Sequence, residues 1–203
     1  MGKIVAAPTA GSCGILPGAL GALIKVRSIP REEVVLSMFT AGAIGMVVAN
    51  KASIAGASGG CQAECGTASA MAAACIVELL GGTPEMAAHA VAIALKCILG
   101  LVCDPVAGLV EIPCIKRNAS GVTLAFTAAE LALAGIKSAI PVDETIEALK
   151  RVGDGLPAAL RETAQGGLAV TSTGQVLEQQ VFGTRAPLTG SSCSTCGSCG
   201  SCG

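Results

Sequence analysis

Between Gln62 and Leu80 runs an alanine-rich stretch without proline, and it stops at Gly81-Gly82. That is the pattern of a helix closed by glycine beyond its last turn. The next three residues, Thr83-Pro84-Glu85, supply a capping hydroxyl, a proline suited to the first helical position and a carboxylate for the positive end of the dipole. A second helix is therefore expected to about Leu99, ended by Gly100. The same punctuation recurs. Ser28-Ile29-Pro30-Arg31-Glu32-Glu33 opens a helix through about Val48. Ala119–Ala134 reads as a helix capped by Gly135, and Pro141-Val142-Asp143-Glu144 begins one that ends at Gly153. An apolar run after Pro17 ends near Lys25-Val26, and Pro157–Ala164 reads as a short helix before Gly166-Gly167.

Such a chain predicts an all-α, or mostly α, fold. Its residues are 52% hydrophobic but only 1% aromatic, with no Trp or Tyr, too little aromatic material for a β-sandwich or barrel. Alanine and glycine instead let helices pack with their backbones close. A length of 203 residues suits one domain, residues 1–188, followed by a tail at 189–203. The Gly/Ser composition of that tail is that of a flexible linker with a thiol at every third position, Cys193, Cys196, Cys199 and Cys202.

A net charge of −1 with no basic stripe argues against nucleic acid. Mean hydropathy is +0.69, yet Val34–Ala49 is short and broken by Ser37, Thr40, Gly42 and Gly45, and Met86–Val102 contains His89 and Lys96. Neither offers a charge-free run of about 18 residues, so both read as buried helices and no membrane span is expected. Met1-Gly2-Lys3 leads into Pro8, Gly11 and Gly14, unlike an export signal. The location expected is cytoplasmic, where disulfides are rare.

Eleven cysteines in such a chain need another account. Cys75 and Cys97 lie in aliphatic helical runs and read as small core residues. Cys61, Cys103 and Cys114 lie instead at turns: after Gly59-Gly60, in Cys103-Asp104-Pro105, and after Pro113. Thiols at helix ends and in loops suit a metal, with zinc and iron–sulfur both open. Cys61 precedes a helix, whose N-terminus favours thiolate; Cys65, one turn on, shares that face. The loop Thr9–Gly14 places hydroxyls and free N–H groups before a helix, a setting for a carboxylate or for a plain turn. His89, the lone histidine, sits mid-helix among alanines and reads as structural. Leu109–Ile112 reads as extended, leading to Pro113-Cys114-Ile115-Lys116-Arg117-Asn118.

Four segments together carry a resemblance: Pro8-Thr9-Ala10-Gly11-Ser12-Cys13-Gly14, Gly60-Cys61-Gln62-Ala63-Glu64, Leu101-Val102-Cys103-Asp104-Pro105-Val106-Ala107-Gly108, and Ile112-Pro113-Cys114-Ile115-Lys116-Arg117-Asn118-Ala119. Over nearly the whole chain the sequence resembles the α chain of bacterial iron–sulfur-dependent L-serine dehydratase. The resemblance implies conversion of L-serine to pyruvate and ammonia, an L-serine ammonia-lyase activity, with a [4Fe–4S] cluster in place of pyridoxal phosphate. It assigns Cys61, Cys103 and Cys114 as cluster ligands and a C-terminal cysteine, nearest here to Cys202, as an exchangeable fourth. It also implies a β chain as partner, in a heterodimer or higher oligomer, and the α chains it resembles carry a further N-terminal segment. For the substrate carboxylate the residues expected are Lys116, Arg117 and Asn118, with Thr9, Ser12 and Cys13 of the loop. Glu64 is the candidate base. The other reading is a non-catalytic iron–sulfur or zinc scaffold used in assembly or redox sensing.

Overall fold

The computed structural model describes residues 5–183. It holds eight α-helices in that range: α1 (Ile15–Arg27), α2 (Arg31–Lys51), the single turn α3 (Gly56–Gly59), α4 (Thr67–Leu79), α5 (Pro84–Lys96), α6 (Cys114–Leu133), α7 (Val142–Gly155) and α8 (Ser172–Phe182). Among the described residues there is no strand, only a parallel bridge between Cys103 and Arg161. The all-α expectation holds. The boundary drawn at residue 188, the tail and Cys202 lie outside the described residues.

Helix α4 is the axis of the fold. Every residue from Thr67 to Val77 is buried, which a helix achieves only when it is surrounded. Helices α1, α2, α5 and α6 pack around it. Small side chains make this possible: Ala68, Ala70, Ala72, Ala73 and Ala74 are all fully buried, so four neighbours approach without a bulky side chain holding any of them off. Of the two buried hydroxyls in the first turn of α4, Ser69 Oγ donates to Cys65 O at 2.7 Å, and Thr67 Oγ1 is buried without a hydrogen-bond partner. Cys75 Sγ donates to Ser37 O at 2.9 Å, tying α4 to α2, and burial pushes this thiol up to about 11. Cys75 is a structural core residue, as its aliphatic surroundings imply.

Helices α1 and α4 come close to α6 at Gly121. A Cβ there would lie 2.5 Å from Ile15 Cδ1 and 2.9 Å from Ser69 Oγ. Gly121→Ala is expected to destabilise the fold by about 1–3 kcal/mol through overpacking, even though alanine is the better helix former. Urea denaturation of the variant checks this.

Several boundaries differ from the sequence reading. Helix α6 begins at Cys114, five residues before Ala119, because Pro113 stands just outside its first turn where its missing N–H costs nothing. Residues 110–113 form a turn rather than extended chain, closed by Val106 N donating to Ile112 O at 2.9 Å. The short helix expected over Pro157–Ala164 shrinks to the 3₁₀ turn Ala158–Leu160, since Glu162 and Ala164 take left-handed backbone angles, φ 65° and 54°. Helix α5 ends at Lys96, which puts Cys97 on the following turn, exposed rather than buried.

Helix α2 is also not the buried element expected. Only Val34, Ser37, Ala41, Gly45 and Val48 are buried, one stripe at helical spacing. Leu36, Phe39 and Met46 face outward, Phe39 being 73% exposed. By length and composition this helix is apolar enough to cross a membrane, and only 28% of its most apolar window is buried within the fold.

Candidate metal centre

Three different elements deliver the three turn cysteines to one place. Gly60, at φ 76°, reverses the chain directly before Cys61; a Cβ there would meet Leu156 Cδ1 at 2.6 Å and Leu101 O at 2.8 Å. Cys61 opens a π-helical turn, Gln62–Gly66, which runs into α4. Such wide turns leave the α-helical hydrogen-bond ladder and recur at functional sites. Gln62 anchors this one: its Nε2 donates to Leu149 O of α7 at 3.0 Å, and its Oε1 accepts from Gly100 N at 2.9 Å. Cys103 comes from the loop after α5, and Cys114 is the first residue of α6.

All three are buried. The Cys61 sulfur stands within hydrogen-bonding reach of the thiols of Cys103, Cys114 and Cys65. Hydrogen bonds from those thiols, Cys103 first, together with the Arg117 charge, hold Cys61 far below the ordinary thiol range against the opposing effect of burial. Cys65, Cys103 and Cys114 are driven far up, each as a donor to Cys61 and each by burial. A positive centre among these sulfurs would favour their deprotonation.

Glu64 faces the same point. Its carboxylate oxygen and the sulfurs of Cys61 and Cys103 all lie within 4.8 Å of one another. Burial pushes the Glu64 carboxyl above its ordinary value; the negative Cys61 and Glu162 act the same way, while hydrogen bonds from the Thr9 hydroxyl and the Gly56 backbone pull it back. Gly56 leaves the space between these groups open. A Cβ on it would lie 3.0 Å from Cys103 Sγ, 3.0 Å from Glu64 Oε2 and 3.2 Å from Glu162 Oε2. Beside it is a cavity of about 170 Å³ whose lining includes Gly11, Glu64, Cys103, Pro105, Cys114 and Glu162.

The residues expected to hold a substrate carboxylate fall in several environments. Arg117 Nη1 forms an ion pair with Asp104 Oδ1 at 2.9 Å and donates to Val102 O at 3.0 Å and to Cys61 Sγ at 3.4 Å, so its guanidinium faces the thiol group. Asn118 Nδ2 donates to Gly11 O and Cys114 O, both at 2.8 Å, and its Oδ1 accepts from Gly14 N at 3.0 Å. Its amide thereby pins the Thr9–Gly14 loop to the start of α6. Lys116 is exposed and does not line the cavity. Within the loop, Ser12 is fully buried and its Oγ lies 3.0 Å from Thr9 Oγ1. Cys13 instead lines a separate apolar cavity of about 650 Å³ with Leu16, Leu20, Met38 and Met71. His89 accepts from Ser138 N at 3.3 Å and faces Glu85 at 3.6 Å, a structural role.

Two residues had no role assigned from sequence. Asp104 is buried, pairing with Arg117 through one oxygen and accepting from Leu168 N at 2.8 Å through the other. Gly167, at φ 59°, wraps so closely over this carboxylate that any Cβ would collide with it. Glu162 reaches the cavity because the backbone beyond Leu160 pairs with Cys103: Cys103 N donates to Leu160 O at 2.9 Å and Glu162 N to Cys103 O at 2.8 Å. The sequence signal was slight, the glycine pair Gly166-Gly167 marking a turn.

Soft, buried sulfur donors gathered from three elements around an open space make this helical domain a candidate thiolate metal protein. The donor chemistry suits an iron–sulfur cluster: Cys103 and Cys114 both reach toward Cys61, and a glycine keeps the adjoining space clear. Residues 1–169 match the model of the serine dehydratase alpha chain, and the chain belongs to that family. It is 61% identical over 183 residues to a probable L-serine dehydratase alpha chain of Bacillus subtilis, covering 90% of this chain and 61% of that one. A probable L-serine dehydratase alpha chain of Latilactobacillus sakei is 57% identical over 183 residues, 90% of this chain and 88% of its own. The L-serine dehydratase alpha chain of Peptoniphilus asaccharolyticus is 55% identical over 179 residues, 88% and 61%. The chain thus spans about three fifths of the length of two of these relatives.

Proposed function

We propose that this chain is the cluster-bearing part of a cytoplasmic L-serine ammonia-lyase, acting with a β chain to convert L-serine to pyruvate and ammonia without pyridoxal phosphate. The observation that carries this reading is the convergence of Cys61, Cys103 and Cys114 beside a small cavity that also holds Glu64. In it, Cys61, Cys103 and Cys114 hold a [4Fe–4S] cluster, and Cys202 serves as the exchangeable fourth ligand. When bound, the cluster supplies a Lewis acid for loss of the β-hydroxyl, a poor leaving group.

The chain's own residues supply the rest. Glu64, buried and raised toward neutrality, is suited to take the α-proton of serine at its carboxylate oxygen. Elimination then leaves aminoacrylate, whose imine hydrolyses to pyruvate and ammonium. Arg117 supports the reading from behind the thiols, where its charge and hydrogen bond favour Cys61 as thiolate. Asn118 acts by holding the Thr9–Gly14 loop, whose Thr9 hydroxyl in turn orients Glu64. At about 170 Å³ the cavity lies below the ~300 Å³ typical of drug-sized sites, in keeping with a small amino acid.

The decisive experiment is anaerobic purification after co-expression with a β chain, followed by iron analysis and a serine assay. Iron bound as a cluster, with serine-dependent pyruvate release insensitive to pyridoxal scavengers, is the expected result. Stoichiometric zinc with no response to serine would instead favour the non-catalytic scaffold. Within the loaded enzyme, Glu64→Gln is expected to lower kcat by about 10²–10⁴-fold, the usual worth of a general base, with iron content unchanged. Steady-state kinetics beside iron quantification checks it.

A further inference from the structure

We infer that Glu162 recognises the α-ammonium group of the amino-acid substrate. The inference rests on the proposed serine reading and adds to it how the substrate is oriented.

The first observation is placement. Glu162 is tied to a cysteine of the thiol group through the backbone on both sides: Cys103 N donates to Leu160 O, and Glu162 N donates to Cys103 O at 2.8 Å. Its φ of 65° is uncommon for a residue with a side chain and recurs where local structure enforces a functional geometry. Here the surroundings enforce it: the Cys103–Arg161 bridge precedes it, and Thr163 Oγ1 donates back to Ala158 O at 3.0 Å. The outcome is a carboxylate in the cavity wall, with its Oε2, the Glu64 Oε2 and the Cys103 sulfur surrounding the point where a Gly56 Cβ would stand.

The second observation is sign. Among the described residues, the groups lining this cavity that carry charge are carboxylates and thiols, and no Lys or Arg lines it. Arg117 faces Cys61, Asp104 and Val102 O, and Lys116 is exposed elsewhere on α6. An amino acid entering a cavity of this sign turns its cation, the ammonium group, toward the wall carboxylate. Glu64, nine tenths buried and already held by Thr9 and Gly56, is less free to do this than Glu162, which is exposed at the rim. A charge-assisted hydrogen bond from ammonium to carboxylate is short and directional. It fixes the α-carbon relative to both Glu64 and the thiol group.

The test is Glu162→Gln in the loaded enzyme, co-expressed with its β chain, with Glu162→Asp as the conservative partner. A hydrogen bond to a charged group is worth about a 10–150-fold change in affinity. The KM for L-serine is therefore expected to rise by that order in E162Q and by less in E162D, with kcat within a few-fold of wild type and iron content unchanged. Inhibition by 3-hydroxypropionate, which keeps the hydroxyl and the carboxylate but lacks the amine, is expected to be the same in wild type and E162Q. An unchanged KM, a fall confined to kcat, equal loss of 3-hydroxypropionate inhibition, or loss of iron would each overturn the assignment. If the loaded wild type itself releases no pyruvate from serine, it is the serine reading that fails; if only E162Q behaves as wild type, that reading stands and the ammonium assignment falls.

Discussion

Cys61→Ser, Cys103→Ser and Cys114→Ser are each expected to yield protein without the iron cluster and without serine turnover above background. The three sulfurs come from a π-turn, a loop and a helix start, so none of the three stands in for another. Cys75→Ser is the matched control. Cys75 is equally buried but hydrogen-bonded to the α2 backbone, so its replacement is expected to lower stability and leave iron content intact. The Cys61 variant has a second signature in cluster-free protein. Cys61 is the common acceptor of three thiol hydrogen bonds; removing it removes the low-pH thiolate, which a pH titration of thiolate ultraviolet absorbance reads directly. Normal iron in any one serine variant would remove that cysteine from the ligand set.

The second large effect is expected at Arg117. Its side chain is 17% exposed and that of Asp104 only 4%, so Arg117→Gln leaves a buried carboxylate without its counter-charge. Breaking one partner of such a pair costs about 3–5 kcal/mol, against a total stability of about 5–15 kcal/mol for a typical domain. Denaturant unfolding of the cluster-free protein is expected to show this loss. The double variant R117Q/D104N is expected to lose less than the sum of the two single changes, because neutralising both partners removes the stranded charge. Simple additivity would show that the pair contributes no coupling.

Much of this was legible in the sequence because local physics carries it. The Thr83-Pro84-Glu85 start appears as drawn, with Thr83 Oγ1 accepting from Met86 N at 3.2 Å, and Gly81-Gly82 follows α4 as a stop. Cys61, Cys103 and Cys114 stood out by their turn settings, which depend on neighbours in the chain. What was hidden depends on partners distant in sequence. Arg117 and Asn118 read in the sequence as residues for a substrate carboxylate, and their contacts with Asp104, Gly11 and Gly14 come only with the fold. Glu162 is a solvent-facing acid in an irregular segment, and only its pairing with Cys103 gives it a place. Helix α2 misled for another reason. Its apolar residues run around the whole circumference, so periodicity does not say which side is covered.

The π-turn at Gln62–Gly66 bears on how this protein can change over evolutionary time. A wide turn carries one residue more than the α-helical path it replaces. Deleting a single residue there would restore the ordinary ladder and swing Cys61 by about 100° about the helix axis, away from Cys103 and Cys114. Length changes of one residue, which surface loops accept readily, are therefore expected to be purged from this stretch even where each substitution in it is tolerated. Spacing, and not only residue identity, is what selection must guard between Cys61 and Thr67.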